Sequence, residues 1–159
     1  MDAFLLPATK HRFSTIAKNY DLDRFMFEVV DPLLQGKDIS YRVMDPQTGK
    51  FQPARTLVAT HEKVIIDGIY SLELGFRSAY DFSVFVEAPK EVLMERAVRA
   101  KDGSFGASWL DKWLDGEETY LKAQNPKGSA TLVLDGSKQF PLAPDVLGLV
   151  SKRLQGSGR

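Results

Sequence analysis

Three short apolar runs, each ending in an acid, constrain this chain more than any other feature. They are Lys63-Val64-Ile65-Ile66-Asp67-Gly68, Asp81-Phe82-Ser83-Val84-Phe85-Val86-Glu87 and Ala130-Thr131-Leu132-Val133-Leu134-Asp135-Gly136. Runs of this length, rich in β-branched residues and bounded by turn residues, read as buried strands. Helical patterns follow them. Residues 89–101 form one, with Pro89 suited to a first turn. A second covers about 108–123, and a third, amphipathic one about 144–154, with Val146, Leu147, Leu149, Val150 and Leu154. Buried strands alternating with helices predict an α/β fold with a mainly parallel sheet. Chemistry in such sheets sits past the carboxyl ends of the strands, which places Asp67, Glu87 and Asp135 at or near that edge.

The first third of the chain is different. Leu22, Phe25, Met26, Val29, Val30, Leu33 and Leu34 recur at helical spacing, with Gly36 as a stop and Pro32 bending the helix or restarting a turn. The turn chemistry of Asp45-Pro46-Gln47-Thr48-Gly49 then separates two extended pieces, which predicts a β-hairpin excursion over about 36–62.

Composition removes several function classes. The formal net charge is +0, so no broad basic field invites nucleic acid or anionic lipid. There is no cysteine, hence no disulfide framework and no thiolate metal site. Apolar runs fall far short of the ~20 residues that span a bilayer. The expectation is one cytoplasmic domain over residues 1–159, with a floppy tail at 155–159 and no nucleic-acid or membrane partner.

Few side chains stand out for chemistry. Asp67 could hold Mg²⁺ beside phosphates, although Asp-Gly also ends many strands only because glycine opens a turn. Arg96 and Arg99 are three apart and share a helix face, so they could clamp a phosphoryl group or simply pair with Glu91 or Glu95. Asp2, in Met1-Asp2-Ala3-Phe4, could accept a proton from a substrate hydroxyl, or be an arbitrary second residue. Trp109 and Trp113 read as packing, as do Phe25 and Phe27. His11 and His61 carry no metal-like spacing.

Taken in order, MDAFLLP, YDLDRFMFEVVDPLLQGKDISYRVMDPQTG, VIIDGIYSL, YDFSVFVEAP, ERAVRAKD and ATLVLDG resemble the uridine kinase and phosphoribulokinase group of P-loop kinases. The resemblance implies a three-layer, Rossmann-like P-loop fold with a lid-like helical region over about 96–125. It implies transfer of the ATP γ-phosphoryl group, with Mg²⁺, to a hydroxyl of a nucleoside or similar small metabolite. By the same resemblance Asp2 is the catalytic acid, Asp67 the Mg²⁺-side acid, and Arg96 and Arg99 the lid arginines. Asp45, with Tyr41 and Arg42 beside it, would hold substrate hydroxyls. Met44 stands where uridine kinases usually have tyrosine, which leaves the acceptor open.

The 159 residues contain no Gly-x-x-x-x-Gly-Lys-Ser/Thr, the loop that cradles phosphates. In the family it precedes the segment matching MDAFLLP. The resemblance therefore implies a fold without its first strand and phosphate loop, with Asp2 ending a strand whose front lies upstream. In the family that first strand lies between the strands matching 63–68 and 81–87, so its absence leaves two apolar strands short of a neighbour. Each buried unmet ladder group costs ~1–3 kcal/mol. Three outcomes follow: the protein extends upstream, the flanking strands close up, or another chain fills the gap, which leaves room for a homo-oligomer. Such a chain is expected to bind ATP poorly and to turn over negligibly by itself. The rival expectations are a non-catalytic binding module of the same fold and a kinase for another hydroxyl metabolite, such as a sugar or vitamin.

Overall fold

A computed structural model describes residues 1–11, 16–45, 48–59, 63–100 and 107–138. The described chain is a mixed α/β structure with a parallel strand pair and an antiparallel strand pair. It divides into two compact units. The first comprises Met1–Ala79 and Lys112–Gln124; the second comprises Tyr80–Asp111 and the chain from Asn125 onward. No described helix is long and apolar enough to cross a membrane. The amphipathic stretch 144–154, the tail and His61 lie outside the described residues.

In the first unit, residues 22–34 are helical in three pieces: α1 (Leu22–Phe25), a π-helical turn (Met26–Val30) and α2 (Asp31–Leu34). Asp21 caps α1, its carboxylate accepting from the Arg24 N–H at 3.2 Å. Pro32 occupies the first turn of α2, where its missing N–H costs least, and the wider π turn just before it absorbs the change in phase. Gly36, at φ +65°, then stops the helix. The buried face carries Phe25, Val29 and Val30. Phe27 points the other way and is 75 % exposed, so it takes no part in the core expected for it.

Two strands follow as the expected hairpin, β1 (Ile39–Met44) and β2 (Phe51–Val58), paired antiparallel from Ile39↔Val58 to Met44↔Phe51. The core of this unit is aromatic. Tyr70 stacks edge-on against Tyr20 and Tyr120 at centroid distances of 5.5 and 5.0 Å, and Phe25 meets Phe4 and Phe76 at 5.2 and 5.0 Å. Met1, Leu5, Leu22 and Trp113 pack around the tyrosines, so Trp113 serves packing as its helical position suggests.

The expected strand at 63–68 is absent. Lys63–Asp67 pairs with no described strand, and Ile65 is 92 % exposed. Three β-branched residues in a row favour an extended backbone. They do not by themselves supply a neighbour for its ladder groups.

In the second unit, β3 (Val84–Glu87) and β4 (Leu132–Asp135) pair in parallel, Val84 opposite Leu132 and Glu87 opposite Asp135. The hydroxyls of Ser83 and Thr131 lock the entry to the pair. The helix α3 (Lys90–Ala100) starts directly after Pro89. The longer α4 (Ala107–Gln124) matches the second expected helix and contributes residues 112–124 to the first unit.

Candidate functional site

Met1, Asp2, Ala3 and Phe4 lie where several expected site residues meet. Asp2 opens a 3₁₀ turn (Asp2–Phe4), with Phe4 N–H donating to Met1 C=O at 2.9 Å and Leu5 N–H to Asp2 C=O at 3.1 Å. The chain then pairs with residues 19–21: Leu6 N–H donates to Asn19 C=O and Asp21 N–H to Phe4 C=O, each at 2.8 Å. The turn projects the Asp2 carboxylate into solvent while burying Phe4.

Two anchors fix this turn to other candidates. On one side, the Met1 amino group donates to Asp67 C=O at 2.5 Å. Gly68 makes the approach feasible. A Cβ there would stand 2.6 Å from Met1 Cβ, and its φ of +152° disfavours other residues. On the other side, the buried Arg24 guanidinium donates to Ala3 C=O at 2.9 Å and to Arg42 C=O at 2.8 Å, while Phe4 and Tyr41 rings meet at 5.5 Å. The structure thus brings the Asp2 turn against both the Asp67–Gly68 backbone and the Tyr41–Arg42 stretch of β1.

A buried carboxylate organises the β1 side. Glu28, only 8 % exposed, accepts from Arg24 Nη1 at 3.1 Å, from Arg42 N–H at 3.2 Å and from Arg55 Nη2 at 3.3 Å. Its charge stays in the interior because three donors surround it. Arg42 extends its guanidinium over the Phe51 ring at 4.2 Å, and its buried Nε has no hydrogen-bond partner among the described residues. Arg24 lies over Phe4 at the same distance.

Asp2 also makes itself felt in the core. Tyr20 is buried, and its hydroxyl is pushed well above the usual phenol range, first by burial, then by the Asp2 charge and by Tyr70. Tyr70 is raised to about 12 by burial and by the charge of Glu117, whose own carboxyl is raised by burial. Both phenols stay protonated and can donate near an acidic group.

The remaining expected residues fall elsewhere. The Asp45 carboxylate folds back on its own turn, accepting from Thr48 N–H at 3.4 Å and Thr48 Oγ1 at 2.8 Å. It acts there as a turn residue. Arg96 and Arg99 are exposed on α3 in the second unit, and Arg99 stands 3.9 Å from Glu95, the ion pair of a solvated helix face. Glu87 and Asp135 do sit side by side at the carboxyl end of the parallel pair. They border an open cavity of about 400 Å³ with Ala88, Pro89 and Ser137. Each already has partners: Lys127 Nζ at 2.5 Å from Glu87, and Lys138 Nζ at 3.2 Å from Asp135. Asp135 also accepts from Ser137 N–H and Oγ, and these bonds and Lys138 hold its carboxyl down at about 2. Gly136 lets the chain cross there, since a Cβ would lie 2.7 Å from Val86 Cγ1.

Sequence reasoning passed over Arg24, Glu28 and Tyr20. A signal existed for the first two: an arginine and a glutamate four apart, the glutamate set between Phe27 and Val29 in an otherwise apolar helix. No protein-family model and no curated protein matches the chain.

Proposed function

We propose that this chain carries the acceptor side of a uridine-kinase-like phosphotransferase of the P-loop fold, with Asp2 as the group that orients and deprotonates a substrate hydroxyl. The observation that supports this most is the placement of the Asp2 turn. The turn that carries this exposed carboxylate is anchored through Met1 to the backbone of Asp67, the acid assigned to Mg²⁺, and through Ala3 and Phe4 to Arg24 and to Tyr41 on β1, assigned to the acceptor. A general base must be anchored yet open to a hydroxyl, and the 3₁₀ turn meets both needs. Mg²⁺ bound with ATP would neutralise the phosphoryl charge beside Asp67.

The chain contains no Gly-x-x-x-x-Gly-Lys-Ser/Thr, so we expect acceptor binding to outlast donor binding. The second reading is a module that binds a hydroxylated metabolite without turning it over. Calorimetry against nucleosides, sugars and other polyols, followed by phosphoryl-transfer assays with ATP and Mg²⁺, tests both. An acceptor whose affinity falls at least tenfold in Tyr41→Ala, with negligible turnover, agrees with the proposal. Robust turnover by the 159-residue chain refutes the donor argument, and failure of every hydroxylated acceptor to bind refutes the site.

A further inference from the structure

Lys63–Asp67 shows the burial alternation of a strand, with one edge unpaired among the described residues. Its side chains alternate, Val64 and Ile66 half-buried and Lys63, Ile65 and Asp67 exposed. Main-chain groups of alternate residues in an extended segment point to opposite edges. The Asp67 carbonyl is used by Met1, so Lys63, Ile65 and Asp67 address that edge, and Val64 and Ile66 address the other. Neither Val64 nor Ile66 makes a backbone hydrogen bond with a described residue. An apolar edge of this kind, unpaired among the described residues, invites strand addition.

The sequence states which strand fits. Lys-Val-Ile-Ile-Asp is complementary to itself read backwards. Antiparallel pairing about a two-fold axis through Ile65 sets Lys63 opposite Asp67 of a second copy, Val64 opposite Ile66, and Ile65 opposite itself. We propose that Lys63–Asp67 is a self-pairing strand that joins two copies of this chain. Val64 and Ile66 exchange N–H···O=C bonds in both directions across the vacant edge. The charged pairs and Ile65 then fall at the non-hydrogen-bonded positions, where Cα atoms are about 4.5 Å apart and side chains lie closest. An in-register parallel pair would instead set Lys63 beside Lys63, which like-charge repulsion disfavours. A patch this short buries less than the roughly 1,200 Å² of a standard interface, so the association is weak and depends on concentration and salt. Pairing engages the Asp67 carboxylate, so it competes with a cation there.

The chain has no cysteine, which makes the test direct. Ile65→Cys places one thiol opposite its own copy, at a Cα spacing that a disulfide accepts, about 4.4–6.8 Å. Leu57→Cys, 75 % exposed on β2, measures random collision. Under mild oxidation at micromolar concentration and low salt, without ATP, metal or acceptor, I65C should cross-link at least tenfold faster than L57C. Lys63→Asp in the I65C background should return the rate to that of L57C, and Lys63→Asp with Asp67→Lys should restore it. Circular dichroism confirms that each variant is folded. Equal rates for I65C and L57C overturn the proposal, as does indifference to K63D. So does an unmodified chain that sediments as a strict monomer to about 500 μM. Because no donor or acceptor is present, none of these outcomes depends on the phosphotransferase reading.

Discussion

Glu28→Ala should be the most informative single change in the first unit. The side chains of Glu28 and Arg24 are 8 % and 10 % exposed, so truncation leaves a guanidinium in the interior without its carboxylate. Removing one partner of such a pair costs about 3–5 kcal/mol. Arg24 keeps Asp21 at 3.3 Å, Ala3 C=O at 2.9 Å and Arg42 C=O at 2.8 Å, which argues for the lower end. The Arg55 contact adds little, because that side chain is 43 % exposed and screened. The Arg42 N–H loses its acceptor, which brings the expected loss to about 3 kcal/mol. For a chain of this size that is a fall in Tm of roughly 6–12 °C. Glu28→Gln keeps one acceptor oxygen and should lose about half as much. Urea denaturation followed by circular dichroism gives the free energy, and amide exchange at Arg42 locates the damage on β1. An E28A chain within about 0.5 kcal/mol of the parent, with Arg42 still protected, would show that the buried carboxylate does not hold the hairpin to the helix.

Three further outcomes follow from the same geometry. Gly68→Ala should destabilise by about 1–3 kcal/mol, because its φ is strained for alanine and Met1 must move; thermal melting checks the loss, and an unchanged Tm would contradict the close approach of Met1. The Glu117 carboxyl is raised by burial, so its charge opposes folding above its folded-state value and the penalty vanishes below about pH 4; Glu117→Gln should raise Tm at pH 7 and not at pH 4. Asp135 is held down at about 2, so its contribution is present above about pH 4 and is lost as pH falls toward 2. Asp135→Asn should therefore weaken the chain at pH 6 and match it near pH 2 in acid-denaturation curves.

The elements whose signals are local were legible in the sequence. The hairpin followed from turn residues 45–49 between extended pieces, and α3 and α4 from their spacing and from Pro89. The parallel pair with acids at its carboxyl end followed from two apolar runs that end alike. The Lys63–Asp67 run was indistinguishable from those two as sequence, yet it pairs with no described strand, because a strand exists only where a second strand meets it. The π turn before Pro32 and the exposure of Phe27 were hidden for a related reason. One extra residue per turn rotates the face downstream, and spacing alone does not reveal it. At the candidate site, Asp2 was found by its resemblance. The residues that anchor it were not, because Arg24 and Gly68 work through backbone carbonyls and close approach, and neither leaves a motif.

The account rests on Asp2 and Tyr41 serving one acceptor beside Asp67. Titrating the ¹⁵N-labelled chain with the best-binding hydroxylated acceptor tests that most directly. The amides of Asp2, Ala3, Tyr41 and Gly68 should shift together with one saturation curve. Shifts confined to Glu87–Lys90 and Asp135–Lys138, or shifts at Tyr41 without Asp2, would contradict it.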